Sequence, residues 1–312
     1  MTMVSAVIQL FKLVILLSLS AVLSASTIPS RRATVCNGHA ELCDRIYSNV
    51  TFIGAHDSFA FSIDPLDLAR DQEVDIPTQL SLGVRLLQAQ SHVMDNYISV
   101  IQLLFDGGTV VNYLKTVKAF LDANPNEVLT LLFTNPEGQS VSTVWKPAFD
   151  AAGITPLAYV PSSVPVKQSN WPTLGQLIDS GKRVVVFLDA GADTSAVDFI
   201  LPEFEMIWET PFSVTDASFP CSVDRIQGPL ATTDHSYMIN HSLNKNILPI
   251  GDGVIVSDPI DAPTTNSVSS ILANVDKCVP LSGANRNPQF LLLDYVNLGQ
   301  GLQAANQLNG LS

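Results

Sequence analysis

The feature that most narrows what this chain can fold into is a set of short runs that are apolar on both faces. The clearest are VLTLLF at 128–133, RVVVFL at 183–188 and FLLLDY at 290–295. A strand with one face in water alternates apolar with polar residues, whereas a parallel strand covered by helices does not. Eight such runs are expected as strands: Val50 to His56, Gly83 to Gln90, Ile98 to Leu104, Glu127 to Thr134, Ile154 to Val160, Arg183 to Leu188, Ser236 to Asn240 and Gln289 to Tyr295. Between them, Thr109 to Ala123 carries Val110, Leu114, Val117 and Leu121 at helical spacing and stops at Asn124-Pro125. Leu174 to Ser180, Pro202 to Glu209, Asn266 to Val275 and Gly299 to Leu308 supply further helices. This rhythm predicts an α/β fold, a (β/α)8 TIM-type barrel, complete or imperfect. An open doubly wound sheet is the alternative, but no GxGxxG turn follows the first run. No repeat or linker divides residues 27–312, so one domain is expected there.

Residues 1–26 (MTMVSAVIQLFKLVILLSLSAVLSAS) have Lys12, an apolar run from Leu13 to Leu23 and small residues after it. That run falls short of the ~20 residues a spanning helix needs. It predicts a cleaved secretory signal peptide, an extracellular protein and no stable membrane span in the mature chain. An oxidising compartment suits the four cysteines. Cys36 with Cys43 is favoured because a short loop closes readily, leaving Cys221 with Cys278. Asn49-Val50-Thr51 and Asn240-His241-Ser242 match the glycosylation acceptor pattern. Sixteen Lys and Arg against 29 Asp and Glu give a formal charge of −13, with no basic run. Nucleic acid is therefore excluded as a partner, and an anionic substrate would need a local cation.

At the C-terminal ends of barrel strands, polar residues are the candidates for chemistry. They are His56 and Asp57, then Gln88, Gln90 and His92, then Asp106, Asp189, His241 and Asp294. In FIGAHDSF (52–59) a glycine permits close backbone approach, and a histidine at a strand exit suits a general base near neutral pH. The bland alternative is a barrel histidine bonded to a neighbouring carbonyl. His39 and His235 lie in polar loops and are assigned no role, and Trp171 and Trp208 are expected in packing.

FIGAHDSF followed by QLSLGVRLLQAQSH resembles the phosphatidylinositol-specific phospholipase C X domain, and more closely the secreted PLC-like phosphodiesterases common in fungi. The likeness continues through CNGHAELCDRIYSNVTFIGAHDSF, FLDANPNEVLTLLFTNPEG, WPTLGQLIDSGKRVVVFLDAGAD, FEMIWETPFSVTDASFPCSVDR and QFLLLDYVNLGQGLQAANQLNG. The resemblance implies a barrel that cleaves a phosphodiester beside a neighbouring hydroxyl, in an inositol phospholipid or a soluble derivative. It assigns His56 as the base, Asp57 as its adjacent aspartate and Asp294 as the residue that orients it. One histidine must remove a proton, a second deliver one, and a cation must neutralise the phosphate.

Two departures stand out. Where the family has an Asp-x-Arg pair, this chain has Gln88-Ala89-Gln90. The Leu-Cys-His-Thr-Ser-Cys type segment that carries the second histidine is replaced by VMDNYISVIQLLFDGG, with no histidine or cysteine. His92 is the candidate substitute, because period-two counting puts Gln88, Gln90 and His92 on one face. Gln88, Gln90 and Asp189 are candidate substrate contacts. Asp189 and Asp193, with Asp57 and Asp294, could hold Ca²⁺ or Mg²⁺ through oxygen ligands, the alternative being helix caps. A catalytically impaired barrel serving as a secreted binding protein is the competing functional class, and a two-carboxylate glycosidase a third.

Overall fold

The computed structural model describes residues 32–94, 97–102, 105–248 and 253–311. The signal peptide expected over residues 1–26 lies outside them. In chain order the strands are β1 (Phe52–Ala55), β2 (Leu86–Ala89), β3 (Ser91–Met94), β4 (Tyr97–Gln102), β5 (Phe105–Thr109), β6 (Leu129–Phe133), β7 (Val184–Leu188), β8 (Ile200–Pro202), β9 (Ile207–Glu209), β10 (Ser236–Asn240), β11 (Asn244–Asn246), β12 (Ile255–Ser257) and β13 (Phe290–Leu293). The helices are α1 (Ile76–Ser81), α2 (Val110–Ala123), α3 (Lys146–Ala152), α4 (Leu174–Asp179), α5 (Ala262–Thr265), α6 (Val268–Cys278) and α7 (Gly301–Leu308).

Eight strands form one parallel sheet in the order β8-β7-β6-β2-β1-β13-β10-β9, curled into an imperfect (β/α)8 barrel. The two end strands, β8 and β9, follow each other in the chain and share no ladder among the described residues. Alternate residues along each strand divide between two apolar layers. Phe52, Leu86, Leu132, Phe187, Met238, Phe290 and Leu292 belong to the layer that fills the lumen. Ile53, Leu87, Leu131, Val186, Ile239 and Leu291 face the helices, where Leu114 and Val117 of α2 and Ile271 of α6 meet them. Gly54 is required by this packing, since a Cβ there would sit 2.7 Å from Leu86 Cδ2 and 3.0 Å from Leu292 Cδ1.

Helix α2 shows the local logic. Thr109 caps it by accepting the Asn112 N–H at 3.3 Å, and Val110, Leu114, Val117 and Leu121 are buried at the expected spacing. Each such side chain contributes about 1.5–3 kcal/mol of burial. The N-terminal mouth of the barrel is closed by Tyr47, which bonds Thr130 Oγ1 at 2.7 Å and packs on Phe52, Trp171 and Phe290. Cys36 pairs with Cys43 and Cys221 with Cys278, as expected from loop closure.

Three expected elements are corrected. The run Ile98 to Leu104 is not a barrel strand, and its last two residues lie outside the described residues. Its described part belongs to β4, the centre of a separate antiparallel sheet β3-β4-β5. Ile154 to Val160 forms a 3₁₀ turn at Thr155–Leu157 and a single bridge from Ala158 to Val184. Pro202 to Glu209, expected as helix, instead contains a turn and β9, and with β8 it supplies the two missing barrel strands. Three-residue strands are too short to show periodicity, whereas ISVIQ has the composition of a strand whichever sheet it joins.

Candidate active site

The lumen-facing register continues past the end of each strand, and there it turns from apolar to polar. Phe52 and Gly54 lead to His56, Leu86 to Gln88 and Gln90, Leu132 to Thr134, and Phe187 to Asp189. Leu201 leads to Glu203, Ile207 to Glu209, Met238 to Asn240, and Leu292 to Asp294. All of these polar residues except Asp294 line one cavity of about 340 Å³ with Leu132, Met238 and Leu292 among its apolar contacts. Asp294 stands behind His56, outside the cavity lining.

His56 extends the β1 ladder, its N–H donating to Leu293 O at 3.0 Å. Its Nδ1 lies 2.8 Å from Asp294 Oδ1 and its Nε2 lies 3.7 Å from Asp57 Oδ2. With a carboxylate accepting at Nδ1, the proton of the neutral ring sits there and Nε2 keeps its lone pair. Burial would lower the proton affinity of this ring, but the charges of Asp294 and Asp57 and the Asp294 hydrogen bond outweigh it and raise the pKa.

Asp57 is fully buried and adopts a left-handed backbone, φ +34. The two glutamines hold that turn. Gln88 Oε1 accepts the Asp57 N–H at 2.7 Å, and the Gln90 N–H donates to Asp57 Oδ1 at 2.8 Å. Gln88 and Gln90 therefore serve Asp57 as well as lining the cavity.

His92, on β3, lines the same cavity, with its Nδ1 2.6 Å from Glu137 Oε1. Both partners are more than a third exposed. Across the cavity, Glu203 and Glu209 are each 2% exposed. Glu209 holds the guanidinium of Arg225 and accepts from Asn240 Nδ2 at 3.1 Å. The Arg225 guanidinium lies 4.7 Å from the Phe212 ring and 5.2 Å from the Phe204 ring. Among the described residues, Arg225 is the one Lys or Arg side chain lining the cavity. Burial first, then the charge of Glu209, holds Glu203 well above the usual carboxylate range, and burial raises Asp189.

Other candidates fall elsewhere. Asp189 Oδ1 accepts the Asn135 N–H at 2.7 Å, while the exposed Asp193 bonds Ser195, so the four aspartates expected around a cation do not converge. Among the described residues, the one set of three potential ligand groups within 4.8 Å of one another is His56, Asp71 and Asp294. There the His56 Nδ1 is already engaged with Asp294 Oδ1, while Asp71 Oδ2 and Asp294 Oδ2 have no hydrogen-bond partner. Asp106 is exposed and bonds its own turn. His241 is buried between Thr265 O and Asn274, apart from the cavity, and burial pulls its pKa down to about 4. His235 is buried against Ala231 O and Gln227 O. Asn49 is exposed, but Asn240 is not a free acceptor for a glycan: its amide is 5% exposed and donates to Glu209 and to Thr210 O at 2.7 Å.

Sequence reasoning missed Asp71, Glu137, Glu203, Glu209 and Arg225. Two of these had a signal, since Glu203 and Glu209 each follow a lumen-facing apolar residue by two positions. Asp71, Glu137 and Arg225 arrive on loops, where no period marks them.

Residues 42–309 match the PI-PLC X family, described as PI-PLC X 1. The chain is 40% identical over 302 residues to "PI-PLC X domain-containing protein 1" of Arthroderma benhamiae, covering 94% of this chain and 95% of that protein. An "Uncharacterized secreted protein" of the same fungus is 39% identical over 290 residues, 89% of this chain and 64% of its own length. Among solved structures, phosphatidylinositol-specific phospholipase C of Staphylococcus aureus aligns with TM-score 0.55 at 16% identity, covering 86% of this chain and 95% of that one. The enzyme from Listeria monocytogenes aligns with TM-score 0.54 at 13% identity, covering 86% and 96%. No described helix is long and apolar enough to cross a membrane.

Proposed function

The chain belongs to the PI-PLC X domain family, and from that membership we propose that it is a secreted phospholipase C-like phosphodiesterase acting beside a neighbouring hydroxyl. The observation that carries this is the presence on one cavity of two imidazoles, His56 and His92, each backed by a carboxylate. His56 Nε2 takes the proton of the hydroxyl adjacent to phosphorus, and the resulting alkoxide attacks phosphorus. As the bond to the leaving alcohol breaks, protonated His92 delivers a proton to its oxygen, giving a cyclic phosphodiester and a free alcohol. Water then opens the ring with the two histidines exchanging roles. Arg225 is the cation available to the nonbridging oxygens, in place of the strand-two arginine that this chain lacks.

A phospholipid-type substrate suits the surroundings of the mouth. The loop after β1 exposes Ile63, Leu66 and Leu68, and Phe212 is exposed beside Arg225. Secretion is supported by the two disulfides and by the secreted relative, and residues 1–26 are proposed as the signal peptide ahead of one barrel domain, 27–312. The test is the purified mature protein on phosphatidylinositol vesicles, glycerophosphoinositol and a chromogenic phosphodiester. His56→Ala is expected to lose about 10² to 10⁴ in rate on whichever is cleaved. Equal weak rates in wild type and variant would favour a binding protein that has lost turnover.

A further inference from the structure

Asp71 is a buried titratable group for which the mechanism above has no use. The loop after β1 folds back on itself, with the Asp71 and Gln72 N–H groups both donating to Ala60 O at 2.9 and 3.0 Å. Gln72 Nε2 then bonds His56 O at 2.8 Å and Leu293 O at 3.1 Å, while the Tyr295 N–H donates to Asp71 O at 2.8 Å. Asp71 is thereby fixed between the exits of β1 and β13. Its carboxyl is 4% exposed and comes within 4.8 Å of both a His56 ring nitrogen and an Asp294 oxygen.

Asp71 Oδ2 and Asp294 Oδ2 are both buried and neither has an N–H or O–H partner. Two ionised carboxylates so placed would repel in a medium that screens poorly, and each would hold an unsatisfied lone pair. One proton between them removes both penalties. Asp294 already accepts the His56 Nδ1–H on its other oxygen, so it serves as acceptor on both oxygens and the shared proton is carried by Asp71. We propose that Asp71 is a positioning residue that stays protonated, donating its O–H to Asp294 Oδ2 and so fixing the carboxylate that orients His56.

The surrounding groups act in both directions: burial and the charges of Asp294 and Asp57 favour the protonated form, and the His56 charge and a Ser257 hydrogen bond oppose it. His56 and Asp57 face Asp71 from the β1 exit, Asp294 and the Tyr295 phenol from β13, and the Ser257 hydroxyl from β12. The guanidinium of the adjacent Arg70 lies over the Tyr295 ring at 5.5 Å and bonds Ser62 O and Glu73. Burial, followed by the charge of Asp294, pushes the Asp71 carboxyl well above its ordinary range. A neutral Asp71 also removes one of the three negative charges facing His56, which keeps its unprotonated form accessible to a reaction that needs it.

The proposal rests on the His56–Asp294 geometry, and only its kinetic arm rests on the phosphodiesterase reading. The primary test is therefore an NMR titration of the His56 ring in the full mature chain, assigned by its loss in His56→Gln. In Asp71→Asn an amide N–H replaces the carboxylic O–H at unchanged charge. The His56 midpoint is expected within about 0.3 unit of wild type and kcat within about threefold, whereas Asp71→Ala is expected to lose about tenfold in kcat with KM little changed. A midpoint that falls by about one unit in Asp71→Asn would show a charged Asp71 and overturn the proposal. Equal kcat in the Asn and Ala variants would overturn it too. Should Ca²⁺ or Mg²⁺ alone raise the Tm of wild type but not of Asp71→Asn, a cation rather than a proton joins the carboxyls, which also contradicts it. If Asp71→Ala fails to fold, the Asn titration still decides.

Discussion

The two imidazole–carboxylate pairs on this cavity are built by different means. His56 and Asp294 follow directly on β1 and β13, neighbouring strands whose ladder pairs Phe52–Ala55 with Phe290–Leu293 residue for residue. The pair's separation is thus set by the packed barrel. His92 sits on a strand of the antiparallel β3-β4-β5 sheet, and Glu137 follows β6 in a loop, both more than a third exposed. The proposed base belongs to the core and the proposed acid to an addition at the rim. A core-built pair is preorganised, and changing it should be severe; a rim pair is free to adjust to the leaving group.

Perturbing the core side of the comparison should have the larger effect. Asp294→Ala removes the Nδ1 partner and allows the wrong tautomer, and kcat is expected to fall about 10²-fold or more with KM less affected. A loss below about threefold would mean that the barrel register does not position the base. The pH profile sharpens the same point. Because neighbouring carboxylates raise the His56 pKa and catalysis needs the unprotonated ring, kcat/KM should rise with pH through a limb above the ordinary value of about 6.5. Asp294→Asn removes one of those charges, so its residual activity should show that limb shifted to lower pH; an unmoved limb would assign it to another group. At the rim, Glu137→Gln should cost less, about fivefold or less in kcat, since an exposed ion pair is worth only about 0–1 kcal/mol. A loss as large as that of Asp294→Ala would erase the proposed difference between the pairs.

The same division explains how much could be read from the sequence. Strands apolar on both faces and His56 at a strand exit were legible because barrel packing imposes a period of two. Continued by two residues, that period reaches Glu203 and Glu209, and it turns Asn240 toward the lumen although its triplet matches a glycosylation acceptor. It had no purchase on β8 and β9, three residues each, nor on whether ISVIQ joins the barrel or the added sheet. Asp71, Glu137 and Arg225 reach their places by loop paths and one bridge, Glu209 to Arg225, which depend on tertiary closure. Of the missing family features, the second histidine has a candidate on the added strand and the missing arginine one beyond β9.

The central claim is that His56 and His92 act on opposite ends of one phosphodiester. It is tested most directly by leaving-group dependence, with matched substrates bearing an alkoxide-type or a nitrophenol leaving group. His56→Ala is predicted to lose about 10² to 10⁴ on both, while His92→Ala loses about 10² on the alkyl ester and less than about threefold on the nitrophenyl ester, which departs without a proton. Equal losses for His92→Ala on both esters, or none on either, would contradict the account.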